Sequence, residues 1–198
     1  MIGVSSFVRQ SFAGLRLLLV LTVVLGLLYP AAVLLAGRLV PGRADGSLLR
    51  IDSHVAGSTL VGQSFNGAEW FLPRPSAAGA GYDPLASGAS DLGPESPALL
   101  AEVQRRRALI AAREGVAPAQ VPADALTASG SGLDPDISPA YAELQVNRVA
   151  AARGLDPAVI RRLVAAARSG PDLGFIGAPR VNVVELNAAV QALDERRG

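Results

Sequence analysis

The sequence has 198 residues, a formal net charge of +1 and no cysteine, so it lacks disulfides, thiol nucleophiles and the strong positive charge typical of nucleic-acid-binding proteins. All 18 basic residues are arginine, which excludes a P-loop and a Schiff-base nucleophile because both need lysine. One histidine, His54, is too few for an HExxH metal motif, and we expect it to be a surface group or a hydrogen-bonded one instead of a metal ligand. The composition therefore leaves few routes to catalysis.

An uncharged apolar segment covers residues 17–37 and is long enough, at about 1.5 Å per residue, to cross a hydrocarbon core of about 30 Å. We expect an uncleaved transmembrane helix after a short segment, residues 1–16. The alternative is a signal peptide, but its apolar region normally has about 7–15 residues and ends at a small-x-small site. Pro30 frees one backbone carbonyl and is expected to kink the helix. Arginines are nearly balanced on the two sides, so they leave the orientation open.

A linker, residues 38–46, leads into a domain, residues 47–198, that is rich in glycine and proline throughout. Ser96, Ser138 and Asp156 each precede a proline, a pattern in which the side-chain oxygen caps a helix that begins at the proline. Glycines mark the helix ends. These signals predict helices over residues 97–113, 139–153 and 157–168.

A capping-box pattern at Asn182 and Glu185, followed by apolar residues at helical spacing, predicts a fourth helix near the C-terminus. Weaker signals predict strands over residues 47–51, 59–65 and 125–128. Because strands and helices do not alternate, we expect an α+β domain with a small sheet and about four helices.

Two turn-rich loops are candidate sites, residues 87–97 and 127–139. The first could hold an anion in its backbone N–H groups, but we favour a surface loop that leads into a helix. In the second, Ser129, Ser131 and Ser138 are possible nucleophiles, but a serine nucleophile needs a base and only His54 is available.

Asp134 and Asp136 in the second loop lack the further ligands of a calcium loop. We therefore favour a loop that acts through its shape. Gly130 and Gly132 are expected to adopt backbone angles closed to other residues.

Gln145 and Arg148 are three residues apart and share one helix face, which we interpret as a solvated polar stripe. Arg105, Arg106 and Arg107 span most of a helical turn and cannot all point to one partner. A solvated face is expected there too.

An ordered set of short motifs runs nearly from end to end of the chain, and the densest is TASGSGLDP, residues 127–135, followed by Ile137-Ser138-Pro139. With this set the chain resembles the C subunit of the Kdp potassium-transporting ATPase (KdpC). The resemblance marks as family-motif or partner-contact candidates Tyr29, Pro30, Gln63, Phe65, Arg74, Pro75, Ser76, Ser87, Gly88, Ser129, Gly130, Ser131, Gly132, Leu133, Asp134, Pro135, Ser138, Pro139, Gln145 and Arg148. Asp136 departs from the family pattern, which usually has histidine there.

The resemblance implies a single-span subunit of the plasma membrane with a cytoplasmic N-terminus and a domain on the periplasmic or extracellular side. Its partners would be membrane lipid, a potassium-channel-like subunit and a P-type ATPase catalytic subunit, and potassium would be the transported ion. The family implies assistance to assembly and a raised ATP affinity of the catalytic subunit. It implies no catalytic residue, metal or cofactor of the chain's own, with ATP shared at most through the catalytic subunit.

A rival hypothesis is a membrane-tethered hydrolase or binding protein outside the cytoplasm. It would use Ser129, Asp134 and Asp136, and turnover by the isolated domain would favour it. Co-purification with the two transporter subunits would favour the resemblance.

Overall fold

The computed structural model describes residues 3–51 and 54–195 of the chain. These belong to two compact units, Met1–Ser47 and Leu48–Gly198. The fold is α+β, as expected, with one apolar N-terminal helix and two small sheets.

The first unit consists mainly of a continuous helix of 34 residues, Val4–Gly37, in which no side chain is buried. By length and composition this helix can cross a membrane, and the predicted span lies within it. It comprises α1 (Val4–Val23), a π-helical turn (Val24–Leu28) and α2 (Tyr29–Gly37), and a short α3 (Pro41–Ala44) follows.

The π turn lies directly before Pro30. Proline has no N–H and its ring crowds the preceding turn, so the carbonyl of Gly26 loses its helical partner. The N–H of Tyr29 donates to the carbonyl of Val24, five residues back, which is the π pattern. The disturbance expected at the proline therefore takes the form of a wider turn.

The second unit contains two antiparallel sheets. A hairpin pairs β1 (Leu48–Ile51) with β2 (His54–Ser58), and a three-stranded sheet has the order β3-β5-β4, with β3 (Asp136–Ile137), β4 (Arg168–Ser169) and β5 (Arg180–Asn182). The strand predicted over residues 47–51 corresponds to β1.

The predictions of strands over residues 59–65 and 125–128 are wrong. The first segment is irregular because its Gly62 N–H bonds to a loop carbonyl, that of Leu133 at 2.7 Å, instead of a neighbouring strand. The second begins at the end of a 3₁₀ turn, Ala123–Ala125, and continues as turn and coil.

The four predicted helices are confirmed as α4 (Pro97–Glu114), α5 (Pro139–Ala152), α6 (Pro157–Ala166) and α7 (Val183–Glu195). Ser138, Asp156 and Asn182 cap three of them through side-chain oxygens that accept backbone N–H groups. Ser96 makes no such bond, although its helix begins where expected. Helix α6 ends earlier than predicted because Arg168 and Ser169 form β4.

The core of the second unit surrounds α5. Its buried face packs against side chains of α4, α6 and α7 and of β5, which include Ile110, Ile160, Leu186 and Val181. Phe71, from irregular chain, is also fully buried in this cluster. The long coil between β2 and α4 therefore belongs to the packed domain, and it carries several of the candidate residues.

Candidate functional site

The loop over residues 129–139 is held by its own polar side chains. The Ser129 Oγ accepts the Gly132 N–H at 3.0 Å, and the Ser131 Oγ accepts the Leu133 N–H at 3.1 Å. The Asp134 Oδ1 accepts the N–H of Asp136 at 3.0 Å. The hydroxyls proposed as nucleophiles thus fix the backbone, and Ser129 is only 8% exposed.

The two glycines of this loop differ. Gly132 has a φ of +69°, and a Cβ there would lie 2.6 Å from the Ala78 nitrogen and 2.7 Å from the Gly88 oxygen. Gly130 does not have a positive φ, and a Cβ would meet nothing within 4 Å. The expectation that both glycines are needed is wrong for Gly130, because neither its backbone nor its surroundings exclude a side chain.

Ser76 attaches a second segment to the loop. Its Oγ donates to the Gly132 carbonyl at 2.6 Å and accepts the N–H groups of Ala78 at 3.1 Å and Tyr82 at 2.8 Å. The Tyr82 hydroxyl donates back to the Arg74 carbonyl at 2.8 Å. The Ser76 hydroxyl thus joins the turn after residue 76 to the loop at Gly132, where a side chain has no room.

Arg74 adds an ion pair to this contact. Its Nη1 donates to the Asp134 Oδ2 at 3.0 Å, and the two side chains are 23% and 30% exposed. Its Nη2 lies within 3.5 Å of the carbonyls of Thr127 and Ala128, whereas its Nε is buried without a hydrogen-bond partner among the described residues. Burial, with a smaller effect of the Asp134 charge, raises the pKa of Tyr82 far above its ordinary value, so its hydroxyl stays a donor.

A third segment closes the arrangement. The Gly88 N–H and the Ser87 Oγ both donate to the Ser131 carbonyl, each at 2.9 Å. The structure thus brings together the Arg74-Pro75-Ser76, Ser87-Gly88 and 129–135 motifs, which are distant in sequence.

The loop ends at Ser138, which caps helix α5 and is itself held by the Asp124 carboxylate. The Ser138 Oγ accepts the Tyr141 N–H at 3.0 Å and donates to the Asp124 Oδ1 at 2.8 Å, and the Ser138 N–H donates to the Asp124 Oδ2 at 2.7 Å. The predicted cap is confirmed, with Pro139 as the first residue of α5. Sequence reasoning missed Asp124, which fixes the cap from the preceding turn.

Asp136 lies in β3, with its Oδ2 3.3 Å from the Nε of Arg180. Burial raises its pKa, and so does repulsion from Asp134, while Arg180 lowers it. The net direction is upward, so the ionised form is disfavoured in the folded domain.

Gln145 and Arg148 form a second cluster, and the prediction of a solvated stripe is wrong. Gln145 is fully buried, and its amide exchanges hydrogen bonds with the Leu72 backbone, at 2.8 Å from the N–H and 3.1 Å to the carbonyl. Arg148 donates from Nε to both carboxylate oxygens of Glu114, at 3.1 and 3.0 Å. Its Nη1 donates to the carbonyls of Ala68 and Trp70. The face is buried because irregular chain covers it.

Asn187 of α7 binds the backbone of Phe71 in the same way as Gln145 binds that of the next residue, Leu72. Its amide accepts the Phe71 N–H at 2.8 Å and donates to the Phe71 carbonyl at 2.9 Å. Arg153 donates to the Glu69 carbonyl and stacks over Trp70, with its Cζ 4.5 Å from the ring centroid. The signal that could have found Asn187 is a polar residue on an otherwise apolar helix face, between Val183 and Val190.

Comparison with known proteins identifies the family. The family model described as "K+-transporting ATPase, c chain" (KdpC) matches residues 11–192. The chain belongs to the KdpC family. A KdpC subunit of Kineococcus radiotolerans is 57% identical over 96% of this chain and 97% of its own length. Those of Beijerinckia indica and Streptomyces coelicolor are 48% and 47% identical, each over 93% of both chains. All three are named "Potassium-transporting ATPase KdpC subunit".

The remaining KdpC motif candidates belong to other segments of the chain. Gln63 and Phe65 line a small apolar pocket with Trp70 and α7. Tyr29 and Pro30 belong to the N-terminal helix, in the other compact unit.

The residues of the rival hydrolase hypothesis, Ser129, Asp134 and Asp136, lie in one loop, but each side chain has a different partner. The Ser129 hydroxyl accepts a backbone N–H, while Asp134 and Asp136 pair with different arginines. Within residues 3–51 and 54–195, no cluster of three or more histidine, cysteine, aspartate or glutamate side chains could hold a metal ion. The geometry favours a structural role for these polar groups.

Proposed function

We propose that this chain is a non-catalytic accessory subunit of an ATP-driven potassium uptake complex. Membership in the KdpC family supports the complex, since the relatives are named as subunits of a potassium-transporting ATPase. The observation that carries the accessory role is the 129–139 loop, where hydroxyls and carboxylates that could do chemistry bind backbone groups and arginines of the same domain.

The proposed partners are a potassium-channel-like subunit and a P-type ATPase catalytic subunit. The loop, held at Gly132 by the hydrogen bonds of Ser76 and Ser129 and at its end by the Ser138 cap, presents a fixed shape for assembly with them. A raised ATP affinity of the catalytic subunit would follow from association. Because the chain has no lysine and no phosphate-binding motif, hydrolysis belongs to the partner.

The proposed topology is a single uncleaved span with a cytoplasmic N-terminus and the second unit outside the cytoplasm. The continuous helix Val4–Gly37 supports retention, since a cleavable signal has a shorter apolar region. N-terminal sequencing of protein extracted from membranes should find the start intact, and a start beyond Gly37 refutes retention. C-terminal reporters that need export should be active, and an active cytoplasm-only reporter reverses the topology.

The deciding experiment measures complex assembly and growth on limiting potassium in cells that carry variants of the chain. Ser129→Ala and Asp136→Asn should assemble and support growth, whereas Gly132→Val should lose both. If Ser129→Ala or Asp136→Asn assembles normally but abolishes uptake, the loop takes part in chemistry or ion handling and the proposal is wrong. The purified chain should show no ATPase activity and no hydrolase turnover.

A further inference from the structure

An open cleft of about 350 Å³ lies between α4 and the 72–82 segment. One helix face lines it with Arg106, Leu109, Ile110 and Arg113, which follow the spacing of neighbours on a helix surface. Arg74 and Tyr82 lie among the lining residues from the other segment. Three arginines therefore line one cleft, and no aspartate or glutamate lies among its described lining residues.

These guanidiniums are only partly neutralised by the domain. Arg74 pairs with Asp134 at 3.0 Å, Arg106 with Glu102 at 3.3 Å and Arg113 with Glu114 at 2.6 Å. Two of the carboxylates are shared further, since Glu102 also pairs with Arg105 and Glu114 with Arg148. Each of these two carboxylates therefore serves two guanidiniums, so the charges of Arg106 and Arg113 are not fully balanced and a positive surplus remains.

The three arginines also remain accessible, with side chains 23%, 24% and 34% exposed for Arg74, Arg106 and Arg113. A guanidinium offers more N–H donors than these contacts use, in a planar fork that suits a carboxylate. The surplus is small because each cleft arginine has a protein partner. One carboxylate would balance it, whereas a polyphosphate would keep most of its charge unpaired.

The rest of the cleft is apolar, with Phe65 and Ile110 in its lining and Leu109 exposed by 57% beside the arginines. An occupant that satisfies both parts carries a carboxylate next to an apolar side chain. We propose that the cleft docks an acidic, apolar-flanked segment of a partner subunit. The identity of that partner rests on the proposed function, whereas the carboxylate preference does not.

The test uses the full chain in lipid nanodiscs and a fluorescein-labelled, amidated peptide, Ser-Phe-Glu-Phe-Ser, followed by fluorescence anisotropy. The matching peptide with glutamine for glutamate should bind at least tenfold more weakly. Leu109→Glu adds a negative charge at the cleft without removing a buried contact and should weaken binding at least tenfold. Leu100→Glu is the matched control, because Leu100 is 58% exposed on the same helix outside the cleft lining and should leave binding unchanged.

Equal binding of the two peptides, or equal binding by the two variants, overturns the proposal. So does displacement of the peptide by acetate at the peptide's own concentration, because a free small carboxylate would then be the ligand. Arg106→Gln should weaken binding about as much as Leu109→Glu, with Arg107→Gln, on the exposed side of the helix, as its control.

In the assembled complex, a photo-crosslinking residue at position 109 should capture a partner segment that contains aspartate or glutamate. Capture of lipid alone, or of a segment without an acidic residue, contradicts the proposal. If the chain does not co-purify with transporter subunits, the proposed function fails while the peptide titration still decides the chemistry of the cleft.

Discussion

Replacement of Gly132 by alanine isolates the contribution of one backbone position to the loop. The φ of +69° costs a residue with a Cβ roughly 1–2 kcal/mol. The new methyl would lie 2.6 Å from the Ala78 nitrogen and 2.7 Å from the Gly88 oxygen. Both are backbone atoms that cannot rotate away, so overpacking adds about 1–3 kcal/mol.

The free energy of unfolding should therefore fall by about 2–5 kcal/mol, and the melting temperature by at least about 5 °C. Gly130→Ala is the matched control, because its Cβ meets nothing within 4 Å, and it should change stability by less than about 0.5 kcal/mol. Thermal unfolding of the full chain, followed by the fluorescence of its single tryptophan, measures both variants. The reasoning fails if Gly132→Ala melts within a degree of the parent or if the two variants lose equal stability.

Arg148→Met should lower the free energy of unfolding by about 2–4 kcal/mol, because the buried Glu114 carboxylate keeps only Arg113 as an ion-pair partner and the Ala68 and Trp70 carbonyls lose their donor. Arg161→Met, in a pair half exposed on both sides, should cost under about 0.5 kcal/mol in denaturant unfolding. Equal losses would contradict this. Ser138→Ala should cost about 1 kcal/mol or more, since the helix loses its cap, and an unchanged unfolding midpoint would show that the cap is dispensable. The pKa of Asp136 is raised in the folded domain, so the protonated carboxyl is favoured by folding. This contribution to the free energy of unfolding is present at low pH. It is lost as the pH rises from the ordinary pKa of an aspartate through the raised pKa of Asp136. Asp136→Asn should remove that slope and stabilise the domain at pH 7, and a steeper loss of stability with pH in the variant would reverse the argument.

Local signals were sufficient to predict the helices. A capping oxygen before a proline marks the start of α5 and α6, and the bonds from Tyr141 and Ala158 to those oxygens are present. Such signals act within one turn of the chain, so a single sequence contains them in full. The apolar span could be predicted for the same reason.

The coil over residues 59–76 could not be predicted, because its partners are distant in sequence. Leu72 bonds to a residue 73 positions away, and Phe71 to one 116 positions away. The apolar character of residues 59–65 suggested a strand, whereas glycine and side-chain contacts hold it as irregular chain. Polar residues on apolar helix faces, such as Gln145, were the available signal, but their targets depend on the tertiary fold.

The pairing of Phe71 with Asn187 and of Leu72 with Gln145 has a consequence for the length of this coil. Surface loops usually accept added or deleted residues, because their backbone groups can bond to water instead. Here two amides on separate helices each bind the backbone N–H and C=O of one residue, so a deletion within residues 69–73 would present the wrong groups to both at once. Although irregular, the segment should tolerate changes of length as poorly as the central strand of a sheet.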